Sequence, residues 1–292
     1  MPHNLLLVAQ GDPQPISIFH AIIIGIVQGL TEFLPISSTA HVKVVPVLLG
    51  WGDPGVSFTA VIQLGSIAAI LWYFWDDLYA VTQNTIKAAI ARDFASQDFR
   101  IGFGIILGTV PAVLVGLFVK VLVPGYDQSI VRSTAAIAIT SIVMAALLGL
   151  AEIVGQRQRD FSKLTQRDGI AVGFAQALAI IPGVSRSGST LTAGLLLGLK
   201  RETAARFSFL LGTITITLAG LVSLPDLFVG DSAVGIAPLI AGLFAAVVSS
   251  YLAIAWLIEF LKKHSTWVFV WYRLAFGTAI LIAIALGKLQ NI

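Results

Sequence analysis

The sequence predicts an all-α integral membrane protein with six transmembrane helices and two re-entrant helical hairpins, arranged as two inverted-topology repeats. Three observations support this prediction: the apolar composition, the spacing of long uncharged segments, and a short phrase that occurs twice. Hydrophobic residues make up 57% of the 292 residues and charged residues 11%. Because a soluble domain carries about a quarter charged residues, this chain has too few charges to cover a surface in water.

The composition also excludes several classes of function. The chain has no cysteine, which excludes disulfides and thiolate metal sites. Its net charge is +3, but no basic cluster alternates with aromatic residues, so we expect no nucleic-acid partner. Residues 1–15 have no basic segment ahead of their apolar residues, so we expect no cleaved signal peptide.

Six apolar segments have the length that a membrane-spanning helix needs, since crossing the hydrocarbon core takes roughly 20 residues. Five of them contain no charged residue, and the last contains only Arg273. The six segments are 58–75, 101–119, 133–151, 207–225, 232–258 and 265–287. We therefore predict a single membrane domain over the whole chain.

A short phrase occurs twice in the chain. Residues 25–39 read GIVQGLTEFLPISST, and residues 173–190 read GFAQALAIIPGVSRSGST. Each copy begins Gly-x-x-Gln, continues through an apolar stretch to a proline, and ends in hydroxyl residues. The corresponding glutamines, Gln28 and Gln176, are 148 residues apart. We interpret this repeated sequence as the result of an internal duplication. The predicted repeat halves are approximately 16–151 and 168–288.

Each copy of the phrase interrupts an apolar segment at a proline, Pro35 or Pro182. Proline removes a backbone donor and clashes with the preceding helical turn. Irregular backbone of this kind is tolerated at membrane depth only where protein or a wet cavity surrounds it. We therefore predict two re-entrant hairpins, 16–50 and 168–199, each made of two half-helices. Three spans per half make the halves inverted, so the two polar tips can meet near the midplane.

Basic residues are distributed unevenly between the two sides of this layout. If 16–50 enters and leaves on side A and the six spans then alternate, side B receives four loops. These loops contain twelve basic residues and are 76–100, 152–167, 199–206 and 259–264. Side A receives four: Lys43, Lys120, Arg132 and Lys288. Because positive charge collects on the cytoplasmic side, we predict that side B is cytoplasmic and that both termini lie outside.

Glu32 is the only acidic residue within an apolar stretch. A lone carboxylate is costly to bury in a membrane, so its default interpretation is functional, with a nearby partner. Gln28 precedes it by four residues and would share its helical face. Glu32 is therefore a candidate catalytic and metal-binding residue, and Gln28 a candidate ligand for metal or substrate. The alternative is a structural carboxylate that holds the hairpin, although a neutral residue would do this at lower cost.

Ser38 and His41 lie three residues apart at the predicted start of the second half-helix, so they would share a face. His41 could act as a base toward a serine or protonate a leaving group. The alternative, equally supported by the spacing, is that His41 is an ordinary residue of a helix interface.

Residues 182–190, which read PGVSRSGST, have the features of an anion-binding segment. Pro182 and Gly183 end one half-helix, and the amino terminus of the next exposes unpaired N–H groups and a partial positive charge. Such an end binds phosphate, and Arg186 adds a planar fork of donors. The glycine–lysine spacing of a Walker loop is absent. We predict that Arg186 is catalytic and that five residues bind substrate: Gly183, Ser185, Ser187, Ser189 and Thr190. The alternative is a helix-packing patch from which Arg186 extends toward water.

At these residues the chain resembles a known family, the bacterial undecaprenyl-diphosphatases or bacitracin-resistance phosphatases, over nearly its full length. Two signatures carry the resemblance, (E/Q)xxxE at Gln28–Glu32 and PGxSRSxxT at Pro182–Thr190. LPISSTAH at Leu34–His41 and FSFLL at Phe207–Leu211 also look like family sequence. Many members have glutamate where this chain has Gln28. Because an amide cannot act as a base, any role that needs a charge would belong to Glu32.

The resemblance implies hydrolysis of undecaprenyl diphosphate to undecaprenyl phosphate and phosphate, which recycles the lipid carrier for peptidoglycan synthesis and confers bacitracin resistance. It also implies dependence on Mg²⁺ or Ca²⁺, a bacterial inner-membrane location, and a site open to the outside. With Ser38 as nucleophile, His41 would be the acid or base; direct attack by water is the rival route. The sequence does not determine whether the protein forms a homodimer. A different class, a transporter or flippase for a phosphorylated lipid or another anion, is the alternative function, since inverted repeats with broken helices are transporter architecture.

Overall fold

The computed structural model describes residues 16–126, 129–225 and 235–291. These residues form eleven α-helices, three short 3₁₀ turns and one isolated β-bridge, with no β-strand among them. The helices are α1 Ile18–Phe33, α2 Ser38–Leu48, α3 Val56–Tyr73, α4 Trp75–Ile90, α5 Gln97–Leu122, α6 Thr134–Val154, α7 Gln166–Ala177, α8 Arg186–Leu196, α9 Arg201–Ser223, α10 Ile236–Lys263 and α11 Trp267–Ala285. The protein is therefore an all-α protein, as predicted.

Five helices, α5, α6, α9, α10 and α11, are long and apolar enough to cross a membrane. A sixth candidate span is α3 together with α4, a pair bent by 75° at Phe74. All six predicted spans coincide with these helices, and the chain is a multi-pass membrane protein. The prediction that 76–100 is a loop was wrong, because residues 75–90 form α4. This helix carries Asp76, Asp77 and Lys87, so it has no apolar run of the length that a span requires.

Each hairpin enters and leaves at a single end of the bundle, as the sequence predicts, and the two hairpins are predicted to use opposite ends. For the second hairpin, the segments before α7 and after α8 are hydrogen-bonded to each other. Gln158 N donates to Gly198 O at 3.0 Å, and Lys200 N donates to Arg159 O at 2.8 Å. For the first hairpin, the His20 ring near the start of α1 stacks on Trp51, just beyond α2, with ring centroids 4.2 Å apart. Each pair of half-helices is therefore re-entrant.

The two hairpins break in the same way. Ser37 precedes α2 with φ 74°, and Ser185 precedes α8 with φ 69°. Serine rarely adopts this left-handed conformation, which persists only where the surroundings determine it. Ser185 Oγ accepts a hydrogen bond from Gly188 N at 3.1 Å, which satisfies one free donor of α8. Each break is thus a defined turn that starts a new helix inside the protein.

Each hairpin packs on a span from the other half of the chain. Helix α1 lies along α10, and α7 lies along α5. Glycines make both approaches possible: a Cβ on Gly25 would collide with Gly242 O, and a Cβ on Gly173 would collide with Gly108 O. This exchange of hairpins agrees with two duplicated halves, whose boundaries at 16–151 and 168–288 stay a prediction.

Polar contacts at the two ends of the bundle join residues that the sequence assigned to one side. On side B, Glu152 of α6 pairs with Arg201 at the start of α9. On side A, Lys43 Nζ donates to Arg132 O at 2.9 Å, and Ala135 N donates to Asn291 Oδ1 at 2.9 Å. These contacts agree with the predicted grouping of the loops that they join, and the full grouping stays a prediction. That side B is the cytoplasmic one stays a prediction.

Candidate active site

The tips of the two hairpins meet inside the protein, as the inverted arrangement predicts. Ser187 Oγ, in the first turn of α8, donates to Leu34 O, in the break between α1 and α2, at 3.0 Å. Arg273 of α11 donates to Pro35 O at 3.1 Å and to Gly183 O at 2.7 Å, and so contacts both breaks. Residues from distant parts of the chain therefore share one polar centre.

Glu32, near the end of α1, is the hub of this centre and is only 5% exposed. Its Oε2 accepts hydrogen bonds from Gln28 Nε2 at 2.7 Å, Ser38 Oγ at 2.7 Å and Gln63 Nε2 at 3.3 Å. Its Oε1 lies 3.3 Å from Nη2 of Arg186. The carboxylate thus collects donors from α1, α2, α3 and α8. The structure brings together the acid and the guanidinium that the sequence singles out.

Ser38 is the first residue of α2, and its hydroxyl points to Glu32 rather than to His41. The His41 ring bonds through Nδ1 to Ser37 O at 2.8 Å and through Nε2 to Tyr272 Oη at 2.7 Å. It also stacks on Phe276 with centroids 4.3 Å apart. A carbonyl only accepts, so Nδ1 carries the proton and Nε2 of the neutral ring accepts from the tyrosine. No hydrogen bond joins Ser38 to His41 among the described residues, and the roles of both stay predictions.

Arg186 is the first residue of α8 and lies where the free amides of that helix begin. Its Nη1 donates to Ser208 O at 3.3 Å, and its Nη2 reaches Glu32. Its Nε is buried and has no partner in the described part of the chain. An unpaired guanidinium donor beside a helix amino terminus suits an anion, because both features attract phosphate oxygens.

The hydroxyl residues after Arg186 are engaged with the protein. Ser189 Oγ and Thr190 Oγ1 donate to Arg186 O at 3.0 and 2.7 Å, and Ser187 Oγ bonds Leu34 O. These contacts fix the first turn of α8 and join it to the other hairpin. Substrate binding by these three residues, and by Ser185, stays a prediction.

The glycines of PGVSRSGST are required by close neighbours. Gly183 has φ 90° and packs against α6, where a Cβ would collide with the hydroxyl of Thr140. A Cβ on Gly188 would lie 2.7 Å from Nη1 of Arg273. The structure therefore places Gly183 against a helix and Gly188 over a guanidinium. Contact of Gly183 with substrate stays a prediction.

Three residues of this centre, Gln63, Tyr272 and Arg273, were not among the predicted site residues. Gln63 was a detectable signal, because it is an amide within an otherwise apolar span. Arg273 was visible as the only charge in the last span, but nothing in the sequence names its partners. Tyr272 gave no signal, since a tyrosine in an apolar helix is an ordinary core or interface residue. Both α11 residues contact groups more than 200 positions earlier in the chain.

The oxygen atoms around Glu32 fit a hard divalent cation that arrives with a phosphate. No group of three or more His, Cys, Asp or Glu side chains that could hold a metal ion occurs in the residues described, so they form no protein-only cage of such ligands. Mg²⁺ is commonly held by one or two carboxylates together with substrate phosphates and waters. Glu32 would supply the carboxylate, and Gln28, Gln63 and Ser38, which donate hydrogen bonds to it, are neighbouring side chains that also carry neutral oxygens. A cation held by Glu32 and Gln28 stays a prediction.

Known proteins match this chain over almost its whole length. A relative from Trichormus variabilis, named undecaprenyl-diphosphatase, is 62% identical over 282 residues, which cover 96% of this chain and 88% of the relative. A relative of the same name from Synechococcus elongatus is 57% identical over 290 residues, covering 98% of this chain and 100% of the relative. The family model described as bacitracin resistance protein BacA matches residues 21–279. This chain therefore belongs to the bacitracin resistance protein BacA family.

Proposed function

We propose that this protein is an undecaprenyl-diphosphatase, a membrane phosphatase that converts undecaprenyl diphosphate to undecaprenyl phosphate and inorganic phosphate. The name of its relatives supports this function. The single observation that carries it is the pairing of Glu32 with Arg186 at the junction of two helix breaks, with Ser38 Oγ bonded to the same carboxylate. A carboxylate, a hydroxyl and a guanidinium around one point suit phosphoryl transfer, in which positioning and charge stabilisation do most of the work.

The second hairpin holds the diphosphate. Arg186 presents its unpaired Nε, and the amino terminus of α8 contributes its partial positive charge. Both stabilise negative charge on the transferring group, and such preorganised donors typically contribute about 10²–10³ in rate. A polyprenyl tail attached to this head group would extend into the apolar surroundings of the bundle, which suits a substrate that is itself a membrane lipid.

The first hairpin carries out the chemistry. Ser38 Oγ attacks the terminal phosphorus while its proton passes to Glu32 Oε2, 2.7 Å away. The bond from that phosphorus to the bridging oxygen breaks, and undecaprenyl phosphate leaves. Water then attacks the phosphoserine: its oxygen bonds to phosphorus, both of its protons leave with the released phosphate, and Ser38 Oγ takes back the proton held by Glu32 as its bond to phosphorus breaks. His41, bonded to Tyr272, is the second candidate acid or base, and direct attack by water without a phosphoserine is the rival route.

A divalent cation, Mg²⁺ or Ca²⁺, belongs to this proposal. Glu32 with Gln28 would hold it, and Gln63 and Ser38 lie beside them. When bound, the ion neutralises charge on the phosphates during transfer. The protein residues orient the head group and keep the serine proton directed at a carboxylate.

Phosphate release from undecaprenyl diphosphate by the purified protein in detergent tests the function. We expect release that stops when a chelator is added and resumes with excess Mg²⁺ or Ca²⁺. The second candidate function, a transporter or flippase, is favoured by the inverted hairpins. Transport needs a membrane with two sides, whereas hydrolysis does not. Absence of phosphate release in detergent, together with movement of the lipid across vesicles, would favour the transporter.

We further propose that the protein lies in the bacterial inner membrane with side A and its termini facing outward, where it would recycle the lipid carrier of peptidoglycan synthesis and confer bacitracin resistance. The chain has no cysteine, so single cysteines can report the orientation. We expect Asp53→Cys to react with an impermeant thiol reagent on intact cells and Lys163→Cys to react only after lysis. The opposite pattern would reverse the proposed orientation.

A further inference from the structure

Arg273 is the largest side chain that is fully buried in the described residues, with 0% of its surface exposed. Its guanidinium makes four hydrogen bonds, and all of the acceptors are backbone carbonyls. Nε donates to Ser141 O at 3.1 Å, Nη1 to Pro35 O at 3.1 Å, and Nη2 to Gly183 O at 2.7 Å and Val184 O at 3.2 Å. One side chain from α11 thus bonds α6 and the breaks of both hairpins.

The two breaks are held at equivalent points. Pro35 and Gly183 are 148 residues apart, the same spacing that separates Ser37 from Ser185. Each carbonyl belongs to the residue two positions before the serine that precedes a half-helix. Arg273 therefore holds the amino termini of α2 and α8 through the same position of each repeat. Those termini carry Ser38 and Arg186, so a change at Arg273 would alter the distance between them.

Among the residues that the structure describes, the charge of Arg273 has no carboxylate partner. In the described part of the chain, no Asp or Glu oxygen lies within 4 Å of its guanidinium. Arg186, in contrast, is paired with Glu32. Burying a cation without an anion is expensive, and buried charges are normally paired. In the described residues, the polar centre therefore has a buried positive charge that bonds carbonyls of both breaks and has no carboxylate within ion-pair distance.

Gly188 shows how closely this charge approaches residues 182–190, the segment predicted to bind the phosphates and called the cradle below. Gly188 lies in the first turn of α8, and a Cβ there would lie 2.7 Å from Nη1 of Arg273. The guanidinium is thus seated under the helix terminus that receives the head group.

We propose that Arg273 is a positioning residue of the phosphatase: its guanidinium holds the two helix breaks in one register, and its uncompensated charge favours the diphosphate at the cradle. The inference rests on the proposed function. Holding the two breaks in register affects turnover, because catalysis requires Ser38 and Arg186 to be correctly spaced. The positive charge of Arg273 affects anion affinity, because a cation near the cradle attracts phosphate.

Two substitutions separate these parts. Arg273→Lys keeps the charge but presents donors from one point, so it cannot bridge carbonyls on both breaks. We expect kcat per folded molecule to fall about 10²-fold, the effect of a misplacement of about 1 Å, while KM stays within about threefold because the charge that sets affinity is kept. Arg273→Gln loses the charge as well, so we expect the inhibition constant of inorganic pyrophosphate also to rise about tenfold. The matched control is Arg206→Lys, an arginine paired with Asp77 on side B, which should leave kcat and KM unchanged.

A purely structural role for Arg273 would give another result. Thermal unfolding and yield would then fall, but kcat, KM and pyrophosphate inhibition per folded molecule would match the parent protein, and the proposal would be overturned. If neither Arg273 variant folds, Gly188→Ala provides the test, because it displaces the guanidinium without removing it. We expect Gly188→Ala to lower kcat about tenfold or more; parental turnover would also overturn the proposal.

Failure of the proposed function would look different. In that case the parent protein itself would release no phosphate from undecaprenyl diphosphate. The protection of the parent protein by inorganic pyrophosphate against thermal unfolding then remains as a readout. The inference predicts that Arg273→Gln loses this protection and that Arg273→Lys keeps most of it. Equal protection of all three proteins would contradict the charge assignment.

Discussion

The two hairpins share a backbone but differ in the side chains at their tips. Both have a buried glutamine in the first half-helix, Gln28 or Gln176, and both have a serine with positive φ before the second half-helix. Four residues after the glutamine, the first hairpin has Glu32 and the second has Ile180. The hydroxyl of Ser38 in the first hairpin thus faces a carboxylate, whereas the second hairpin presents a cation.

In the proposed function, this difference lets one fold element, used twice, supply two halves of a reaction site. The repeated feature is a helix amino terminus that begins inside the protein, which favours negative charge in both hairpins. The side chains then divide the work. Glu32 and Ser38 can handle a proton and attack phosphorus, and Arg186 can bind the oxygens around it. The substitutions below test this division, from the largest expected effect to the smallest.

Ser38→Ala should have the largest effect if the first hairpin supplies the nucleophile. Removing the nucleophile of a covalent hydrolase costs about 10⁶-fold in kcat, so we expect no measurable turnover. Acid quenching during turnover of substrate labelled in its terminal phosphate should trap a phosphoserine at Ser38 in the parent protein. The neighbouring Thr39→Ala is the matched control and should keep parental activity. Substantial turnover by Ser38→Ala would leave direct attack by water as the route.

Glu32→Gln and Arg186→Met should each lower kcat/KM by about 10²–10³, because each removes one charge from a water-poor site. Both proteins should still fold, as judged by thermal unfolding. The control is Arg159→Met on side B, since Arg159 pairs with the buried Asp168 at 2.8 Å but lies outside the polar centre. Near-parental turnover in either Glu32→Gln or Arg186→Met would refute the division of roles between the hairpins.

Gln28→Leu should have an intermediate effect. It removes the donor 2.7 Å from Glu32 Oε2, and a hydrogen bond to a charged group contributes about 1.5–3 kcal/mol. We expect kcat/KM to fall at least about tenfold, since about 1.4 kcal/mol corresponds to a factor of ten. Gln28→Glu restores an oxygen ligand at this position and should be more active than Gln28→Leu. Equal activity of the two variants would show that the oxygen has no part in binding metal or substrate.

Gln176→Leu should have the smallest effect, and it compares the buried glutamine of the second hairpin directly with Gln28 of the first. Gln176 Oε1 accepts from Thr215 at 3.2 Å, but its Nε2 is buried without a partner in the described residues. Leucine removes an unsatisfied amide, so we expect the free energy of unfolding to change by no more than about 1 kcal/mol and kcat to stay within about twofold. A loss of activity like that of Gln28→Leu would mean that the second hairpin also carries a functional amide.

Much of the fold could be predicted from local features of the sequence. Long uncharged runs located the spans, and a proline followed by hydroxyl residues located both breaks. Helix α4 was missed because Asp76 and Asp77 interrupt its apolar surface, and hydropathy does not distinguish such a helix from a polar loop.

Of the candidate site residues, Glu32 and Arg186 were predictable because a charge at membrane depth is costly unless something nearby favours it. The partner of His41 was not, since Tyr272 resembles any aromatic residue of an apolar helix.

The sequence by itself determined the class of the protein, the two broken helices and the residue types at their tips, because chain length, hydrophobicity and proline act locally. Only the tertiary structure decided which groups meet. Glu32 and Arg186 are 154 positions apart, and Pro35 and Arg273 are 238 apart. Hydrogen bonds act over about 3 Å whatever the separation along the chain. The packing of the hairpins against spans of the opposite half therefore created the polar centre.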